Sequence, residues 1–407
     1  MALKKITRKV HPVLFFGTMI NLFVSIFNVV YIQKSISNMM DNDRPRVERS
    51  TRTHPMLKTG DNSITDKNYY ILAASLGKTS TKLRVLYPKG VFLRTKGGIG
   101  NQLYQYACHY ALARKHNVPL YIDQRNQRAQ HKTRNMSVED RSFVLDSFNV
   151  PLFPWNTIDE TWPLPNIVDI TDSDLLSGSY NSTSFRDSLV SLHVTNFCQS
   201  EAYFAQYRDE LRLFFTLKDG ILTEAAKSWA EFIKTAGNIG ETVAIHIRRG
   251  DFVSYNTTTP LSFFTTAISS LREQLISRNN KDIPISLFIF SDDAIYVRNV
   301  FLKALRETEG IYNIHIVSDP SKFTSLEELY MSTKCKNFVI PNSTFAWWAA
   351  YLAKHPNKIV YAAHLTTEHV KWLYVTESLE RQQFYLWQYK HIYYPSGWNA
   401  IYPPSLL

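Results

Sequence analysis

Apolar residues in the second half of the chain fall into short runs that alternate with longer amphipathic segments. Four runs rich in Val, Ile and Phe predict buried strands, at 242–248, 286–291, 312–317 and 337–341. Four segments with helical spacing come after them, at 261–277, 294–306, 325–333 and 344–354. Repeated alternation of this kind predicts a parallel sheet with helices on both faces.

A similar unit begins near residue 91. The apolar run 91–93 leads into a turn with three glycines, then into a segment with helical spacing at 102–116 and a second strand at 117–123. This order predicts a strand, a glycine turn, a helix and a strand. The stretch from about 140 to 195 is rich in Pro, Trp and Asp and only weakly periodic, so it predicts loops and short elements.

Two α/β units of this kind, facing each other, would enclose a cleft. We therefore predict an α/β fold of two Rossmann-like halves, at 85–240 and at 241–407. The glycine turn does not have the G-x-G-x-x-G spacing, which argues against a Rossmann oxidoreductase.

The N-terminal region has a different pattern. Four cations within the first nine residues precede 20 residues without a charge, from Val13 to Ile32, which is long enough to cross a bilayer. Because no small-residue cleavage site follows, the pattern favours an uncleaved signal anchor, with a cytosolic tail at 1–12, over a buried core helix. Residues 33–84 are polar and basic and predict a flexible stem.

Composition indicates a packed globular protein, since 44% of the 407 residues are hydrophobic and 14% are aromatic. The net charge of +11 first suggests a nucleic-acid-binding protein. Residues 1–96, however, carry 17 Lys and Arg against 5 Asp and Glu, a net of +12. The remaining 29 and 30 leave a net of −1 for the globular part, so nucleic acid is not an expected partner.

The cysteines and glycosylation motifs fit a lumenal protein. Cys108, Cys198 and Cys335 allow at most one intramolecular disulfide, and the sequence leaves the three pairings open. The triplets that begin at Asn135, Asn181 and Asn256 are expected N-glycosylation sites, and a fourth triplet begins at Asn342.

Polar residues with binding chemistry follow the first strand of the second half. His246, Arg248 and Arg249 lie at the end of this strand, and Asp251 comes two residues later. The carboxyl ends of parallel strands are where open α/β sheets bind ligands. An arginine there can donate two hydrogen bonds to a phosphate while Asp251 holds the guanidinium; an ion pair between Arg249 and Asp251 on the surface is the structural alternative.

The next strands end in the same way. Ser291 and Asp292 follow one strand, and Asn342, Ser343 and Thr344 follow another. Each group could cap the helix that it precedes, which is the commoner use of such residues. Three polar strand ends at one edge of a sheet together favour a ligand site.

The glycine turn is a further candidate for phosphate binding. Gly98, Gly100 and Asn101 would place free backbone N–H groups at a helix N-terminus, where a diphosphate is stabilised, although a tight structural turn explains them equally well. The string Asp172-Ser-Asp174 resembles a manganese-binding D-x-D motif, but it lies in a Ser- and Thr-rich loop where helix capping is commoner. We therefore expect no metal and no other cofactor.

Five blocks together resemble the α-1,2-fucosyltransferases of glycosyltransferase family 11. They are GGIGNQLYQYA at 97–107, FCQSEAYF at 197–204, HIRRGD at 246–251, FSDD at 290–293 and NSTFAWWAAYL at 342–352. The resemblance covers roughly residues 91–355. It departs from the family pattern at Leu103-Tyr104, where Met-Phe is usual, and at Cys198, which interrupts a familiar block.

The resemblance implies a GT-B-like fold, GDP-fucose as donor substrate, a glycan acceptor, inversion at the anomeric carbon and no metal. It also implies a single-pass type II protein of the Golgi membrane with a lumenal catalytic domain, and a homodimer is allowed. By position, Arg248 would bind the β-phosphate, and His246 and Asp251 would shape the donor site. The turn at 98–101 and the ends at 291–292 and 342–344 would hold nucleotide and sugar.

The sequence does not assign the base that takes the acceptor proton, and Asp251, Asp292 and Glu201 are the candidates. Since Asn342 lies inside a family block at a strand end, we expect its triplet to be unglycosylated. Other GDP-fucose enzymes, of the α-1,6 or protein-O type, and a non-catalytic membrane lectin are the alternative functions.

Overall fold

The computed structural model describes residues 90–123, 143–151, 167–178, 180, 191–306, 310, 312–364 and 378–401. Within these ranges no helix combines the length and the hydropathy that a membrane span requires. The predicted anchor at 13–32, the predicted stem at 33–84 and the triplets at Asn135 and Asn181 lie outside the described residues. The described residues 90–172 and 191–401 belong to one compact unit, and residues 173–178 and 180 belong to another.

The first sheet has four parallel strands in the order β2-β1-β4-β3. The strands are β1 (Val91–Arg94), β2 (Leu120–Asp123), β3 (Ile167–Ile170) and β4 (Ser191–Val194). Helix α1 (Ile99–His116) connects the first two strands, and the short helix α2 (Asp172–Ser177) follows β3. Single 3-10 turns occur at Leu145–Ser147, Glu201–Tyr203 and Ala205–Tyr207.

Helix α1 is buried along almost its whole length. It begins after Gly98 without a side-chain cap and ends at Asn117, which adopts the left-handed conformation (φ 52°) that commonly ends a helix. Every residue from Gln102 to Ala113 is buried. A helix that is covered on all sides in this way has a core position, here between β1 and the C-terminal part of the unit.

The second sheet has six parallel strands in the order β10-β9-β8-β5-β6-β7. The strands are β5 (Glu241–Ile247), β6 (Ile285–Ser291), β7 (Tyr312–Ile316), β8 (Asn337–Ile340), β9 (Val360–Ala363) and β10 (Asn399–Ile401). The helices of this region are α3 (Arg208–Phe214), α4 (Glu224–Ile239), α5 (Gly250–Ser254), α6 (Leu261–Asn279), α7 (Ala294–Tyr296), α8 (Leu302–Arg306), α9 (Ser325–Ser332), α10 (Thr344–Leu352) and α11 (Leu379–His391), with a π-helical segment at Val297–Phe301.

Alternation along β5 divides its side chains between two faces of the sheet. Val243, Ile245 and Ile247 join a core formed with α6, α8 and the π-helical segment. Ala244 and His246 therefore point to the opposite face. Because β5 lies between β6 and β8, the ends of these three strands are neighbours.

The predicted α/β class with parallel sheets is confirmed, and each predicted strand and helix of the second half lies within two residues of an observed one. The sequence predicts only loops and unplaced short elements where β3, α2 and β4 lie. It does not predict α3, α4, α5 or the elements after residue 359. All strands of the first sheet precede residue 240 and all those of the second follow it. The division into two Rossmann-like halves itself stays a prediction.

A disulfide joins Cys108 in α1 to Cys198, 90 residues further along the chain, with a Cα–Cα distance of 6.2 Å. This settles the pairing that the sequence leaves open. Cys335 is buried as a free thiol, and burial raises its pKa.

Candidate active site

Arg248 lies between two carboxylates at the carboxyl end of β5. Its Nη2 is 2.7 Å from Asp251 Oδ1, and its Nη1 is 2.6 Å from Asp292 Oδ2. The side chain of Arg248 is 30% exposed. Because a guanidinium has five N–H donors and these pairs use one each from Nη1 and Nη2, three donors have no partner among the described residues.

Gly250 makes this arrangement sterically feasible. A Cβ atom at this position would lie 2.7 Å from Asp292 Oδ2, closer than real Cβ contacts allow. The other oxygen of Asp292 accepts a hydrogen bond of 2.8 Å from the backbone N–H of Arg249. Both oxygens of Asp292 are therefore engaged in holding the loop that carries Arg248.

Arg249 points to a different set of partners. Its Nε donates to Asp293 Oδ2 at 3.0 Å, and its guanidinium lies 3.7 Å from the centroid of the Tyr296 ring. The backbone N–H of Tyr296 and the Arg249 guanidinium lower the pKa of Asp293. Asp293 and Tyr296 are absent from the predicted site, although Asp293 adjoins the predicted Ser291 and Asp292.

His246 borders the site on the face of β5 that carries α10. Its ring lies 5.2 Å from that of Phe345, in the first turn of α10. Burial and the neighbouring Arg248 lower the pKa of His246 to about 3, so the imidazole is neutral near pH 7. Its Nδ1 is buried, and no described residue forms a hydrogen bond with it.

The other two strand ends lie beside β5, because β6 and β8 flank it in the sheet. Ser291 pairs with Ile247 in the sheet, and its hydroxyl accepts from the backbone N–H of Asp293 at 3.0 Å. Asn342 Oδ1 accepts from the hydroxyl of Thr259 at 3.2 Å. Ser343 is buried at the start of α10, and its side chain does not cap the helix.

The glycine turn contacts the start of α10 directly. A Cβ at Gly100 would lie 2.4 Å from the backbone carbon of Thr344, so only glycine permits this approach of two backbones. Asn101 Oδ1 accepts from Gln199 Nε2 at 3.0 Å, and Gln199 Oε1 accepts from the hydroxyl of Tyr389 at 2.6 Å. Helix packing therefore accounts for Gly100, and Gly98 precedes α1 next to the same contact.

Glu201 lies apart from these residues. Its carboxylate is paired with Arg208 and accepts a hydrogen bond of 2.9 Å from the hydroxyl of Tyr351. Tyr351 follows Thr344 by seven residues, which is about 10 Å along a helix axis. Glu201 therefore contacts the C-terminal end of α10, whereas His246 adjoins the N-terminal end of that helix.

The remaining predicted positions lie outside this cluster. Asp172 is buried and accepts a hydrogen bond of 3.0 Å from the hydroxyl of Tyr385. Across the described ranges, no group of three or more His, Cys, Asp or Glu side chains could hold a metal ion. That the protein needs no metal stays a prediction. Asn256 is exposed in the turn after α5.

Comparison with known proteins assigns the family. Residues 90–389 match the family described as Glycosyl transferase family 11. This chain belongs to that family. The predicted family and the predicted enzyme class, a glycosyltransferase like the galactoside α-1,2-fucosyltransferases, are thereby confirmed.

Several relatives of this family 11 glycosyltransferase are similar over most of their length. An α-1,2-colitosyltransferase of Escherichia coli is 27% identical over 276 residues, which are 65% of this chain and 88% of that protein. The galactoside 2-alpha-L-fucosyltransferase Sec1 of Mus musculus is 24% identical over 282 residues, which are 68% of each chain.

Among solved structures, FUT1 of Arabidopsis thaliana in complex with GDP is 13% identical, with a TM-score of 0.45, and the match covers 75% of this chain and 76% of that one. The NodZ alpha-1,6-fucosyltransferase soaked with GDP-fucose is 15% identical, with a TM-score of 0.41, and the match covers 68% of this chain and 95% of that one.

Proposed function

We propose that this family 11 glycosyltransferase moves L-fucose from GDP-fucose onto the terminal sugar of a glycan, galactose in α-1,2 linkage, with inversion and without a metal. The observation that carries this proposal is the position of Arg248 at the carboxyl end of β5. Asp251 and Asp292 hold its guanidinium, and three of its N–H donors have no partner among the described residues. An arginine whose guanidinium is held in this way can donate hydrogen bonds to two oxygens of a diphosphate at once.

The surroundings of Arg248 suit a departing diphosphate. Positive charge placed where negative charge develops lowers the barrier of a transfer reaction, and it does so without a bound cation. The start of α10, next to His246, adds backbone N–H groups and the positive end of a helix dipole. The neutral His246 adds no charge beside Arg248, and its ring packs on Phe345 at the start of α10.

The contacts also distinguish the three candidate bases. Both oxygens of Asp292 are engaged with Arg248 and Arg249. Glu201 contacts Arg208 and Tyr351 at the end of α10 that lies away from His246, so its position excludes it. Asp251 is paired through Oδ1 alone among the described residues. We assign the base to Asp251: its second oxygen takes the proton of the acceptor hydroxyl as that oxygen attacks the anomeric carbon and GDP leaves.

Donor and linkage are inferred from the relatives. One is described as a galactoside 2-alpha-L-fucosyltransferase and another as an α-1,2-colitosyltransferase, so α-1,2 linkage is common to both descriptions while the donor sugar differs. Fucose is the donor that we propose, and a donor carrying colitose is the alternative that the first test must include.

We further propose a GT-B-like arrangement of the two halves and residence as a single-pass type II protein of the Golgi membrane, with the catalytic part in the lumen. The basic tail and uncharged span at 1–32 support this topology. The Cys108–Cys198 disulfide and the exposed Asn256 triplet fit an oxidising, glycosylating compartment.

The test is a transfer assay with the purified full-length protein, offered GDP-fucose or a GDP-linked colitose donor and a panel of glycans with different terminal sugars. We expect transfer of fucose to galactose, with the linkage read from the NMR spectrum of the product and unchanged rates in EDTA. Transfer from the colitose donor alone, an α-1,6 or protein-linked product, or a need for Mn²⁺ would each refute the corresponding part of the proposal. Glycan binding without turnover would favour a lectin.

A further inference from the structure

The charged residues that follow β5 and β6 continue the register of these two strands. The last partners in the parallel ladder between β5 and β6 are 44 residues apart in the sequence. The same separation joins Arg248 to Asp292 and Arg249 to Asp293. Two consecutive arginines are therefore held by two consecutive aspartates, in the order that the sheet imposes on its strand ends.

Asp293 uses its two oxygens for different partners. Its Oδ2 accepts from Arg249 Nε at 3.0 Å, and its Oδ1 accepts from the backbone N–H of Tyr296 at 2.8 Å, which caps α7. The Arg249 guanidinium lies 3.7 Å from the centroid of the Tyr296 ring, within the range of a cation–π contact. One carboxylate thus holds both the guanidinium and the helix that carries the ring. We call Arg249, Asp293 and Tyr296 the clamp.

The clamp is attached to the core of the second sheet. Val297, which follows Tyr296 directly, is fully buried, and so is Phe301 at the end of the π-helical segment. Both side chains belong to the core that also contains Ile247, the last residue of β5. Because protein cores are closely packed and yield little, the backbone of Tyr296 is fixed relative to the strand that leads into Arg248.

The clamp also keeps the two guanidinium groups from sharing a carboxylate. Neighbouring like charges repel each other, and an arginine without a partner of its own would compete for the nearest carboxylate. Asp292 is that carboxylate, because its Oδ1 accepts from the backbone N–H of Arg249 at 2.8 Å while its Oδ2 holds Arg248. The clamp gives Arg249 a different carboxylate, so Asp292 remains available to Arg248.

We propose that the clamp positions Arg248: its three residues bind no part of the donor, and they act by fixing the guanidinium of Arg248 where it meets the β-phosphate. This inference rests on the proposed function, in which Arg248 holds the diphosphate of GDP-fucose. Arg249 is then a positioning residue, although its place next to Arg248 in the sequence suggests a second phosphate ligand. Its Nε and one face of its guanidinium are already used within the protein.

Calorimetric titration of the full-length protein with GDP and with GMP tests the clamp. GMP lacks the β-phosphate that Arg248 is proposed to hold, so it reports binding to the rest of the site. We expect Tyr296→Leu, which removes the ring without a change of charge, to raise the Kd for GDP about tenfold and to leave the Kd for GMP unchanged. Tyr296→Phe keeps the ring face and should bind GDP as the wild type does.

Asp293→Asn tests the carboxylate separately. Asparagine still caps a helix well, but its amide nitrogen cannot accept a hydrogen bond from Arg249. The change also removes a negative charge, which by itself would strengthen the binding of both nucleotides. We expect a loss of affinity for GDP relative to GMP, which the change in net charge cannot produce.

Asp282→Asn is the matched control for the carboxylate variant. It breaks a 2.8 Å pair with Arg272 just before the start of β6, at the opposite end of this strand from Asp293. The ratio of the affinities for GDP and GMP should stay that of the wild type. Thermal melting of each variant shows whether it is folded at the temperature of the titration.

A double-mutant cycle separates positioning from direct contact with the donor. If the clamp acts through Arg248, Tyr296→Leu weakens GDP binding in the wild type but has little further effect in Arg248→Lys. If Tyr296→Leu is unfolded, Asp293→Asn takes its place in the cycle. Additive losses, equal losses for GDP and GMP, or unchanged GDP binding in both clamp variants would overturn the clamp and leave the proposed donor intact. A wild type that does not bind GDP would overturn both.

Discussion

At the scale of single residues, two adjacent arginines have different partners. Arg248 is held by Asp251 and Asp292 at the strand end, whereas Arg249 is held by Asp293 and lies on Tyr296. We expect Arg248→Lys to lower kcat/KM by about a hundredfold or more, about 3 kcal/mol, because lysine keeps the charge but loses the planar fork. Arg249→Lys should cost less.

Both variants can be compared by GDP release in the presence of acceptor and by thermal melting. If Arg249→Lys were the more damaging of two equally stable proteins, the assignment of the phosphate-binding arginine would be wrong.

Gly250 provides a test of how Arg248 is positioned. In Gly250→Ala the new methyl group would approach Asp292 Oδ2 to 2.7 Å, so the carboxylate that pairs with Arg248, or the loop itself, must shift. We expect turnover to fall by about tenfold or more, since catalytic geometry tolerates little displacement. Gly237→Ala is the control: the nearest atom to its new Cβ would be the flexible Lys336 side chain at 3.3 Å. Equal activity of the two variants would show that the pair does not position Arg248.

At the scale of elements, the packing of α1 on α10 joins the two sheets. Tyr104 lies against Trp347 and Trp348 at centroid distances of 4.7 and 5.1 Å, and its buried hydroxyl has no hydrogen-bond partner among the described residues. Burying a polar group without a partner costs free energy, and the family resemblance has Phe at this position. Aromatic packing explains the contact between α1 and α10, but it does not explain why Tyr104 carries a hydroxyl group.

We therefore expect Tyr104→Phe to leave the free energy of unfolding unchanged or to raise it by about 1 kcal/mol. Tyr351→Phe, in the same cluster, removes a hydroxyl that donates to Glu201 at 2.9 Å and should lower it by about 1 to 3 kcal/mol. Urea unfolding of both variants measures the difference. A loss of stability in Tyr104→Phe as large as that in Tyr351→Phe would mean that the Tyr104 hydroxyl has a partner after all.

At the scale of the whole molecule, the sequence predicts the regular part of the fold and the chemistry of the strand ends. The limit of the sequence-based prediction is seen in β4, a strand of four residues that contains His193. This side chain is polar in the sequence but buried, with Nδ1 2.8 Å from the backbone oxygen of Phe92. Only the tertiary structure supplies the partner that makes this burial favourable, so periodicity could not find the strand.

The candidate active site likewise contains some features that the sequence predicts and others that it does not. Arg248, Asp251 and Asp292 could be predicted together, because parallel strands bring their ends to one edge. The stack of Arg249 on Tyr296 could not, since it depends on the angle at which α7 leaves β6. For Gly100 the sequence leaves phosphate binding and a tight structural turn equally open. Its neighbour Thr344 lies more than 200 residues away in the sequence, and only the fold reveals their contact.

Global stability should fall in mild acid because of His193. Burial lowers the pKa of this residue from 6.5 to about 4 in the folded protein. Between these values the unfolded chain binds a proton that the folded chain does not, so the free energy of unfolding decreases as the pH falls, by up to about 1.4 kcal/mol per pH unit from this residue. His193→Asn, which keeps a donor near Phe92 but does not titrate, should reduce that slope.

Urea unfolding at pH 6.5 and 4.5 measures the two slopes. The same pH dependence in wild type and His193→Asn would show that other groups cause the acid sensitivity, with His109, whose pKa burial also lowers, as the next to replace.

The Cys108–Cys198 bond gives the first half of the enzyme an unusual response to proteolysis. It ties together the two ends of a stretch that contains β2, β3 and β4. A protease that cuts the chain once anywhere inside this stretch separates no mass, because the fragments stay covalently linked. A nicked enzyme would migrate on a denaturing gel as one full-length species until a thiol is added, and then as two, so an intact band without reductant is no evidence of an intact chain.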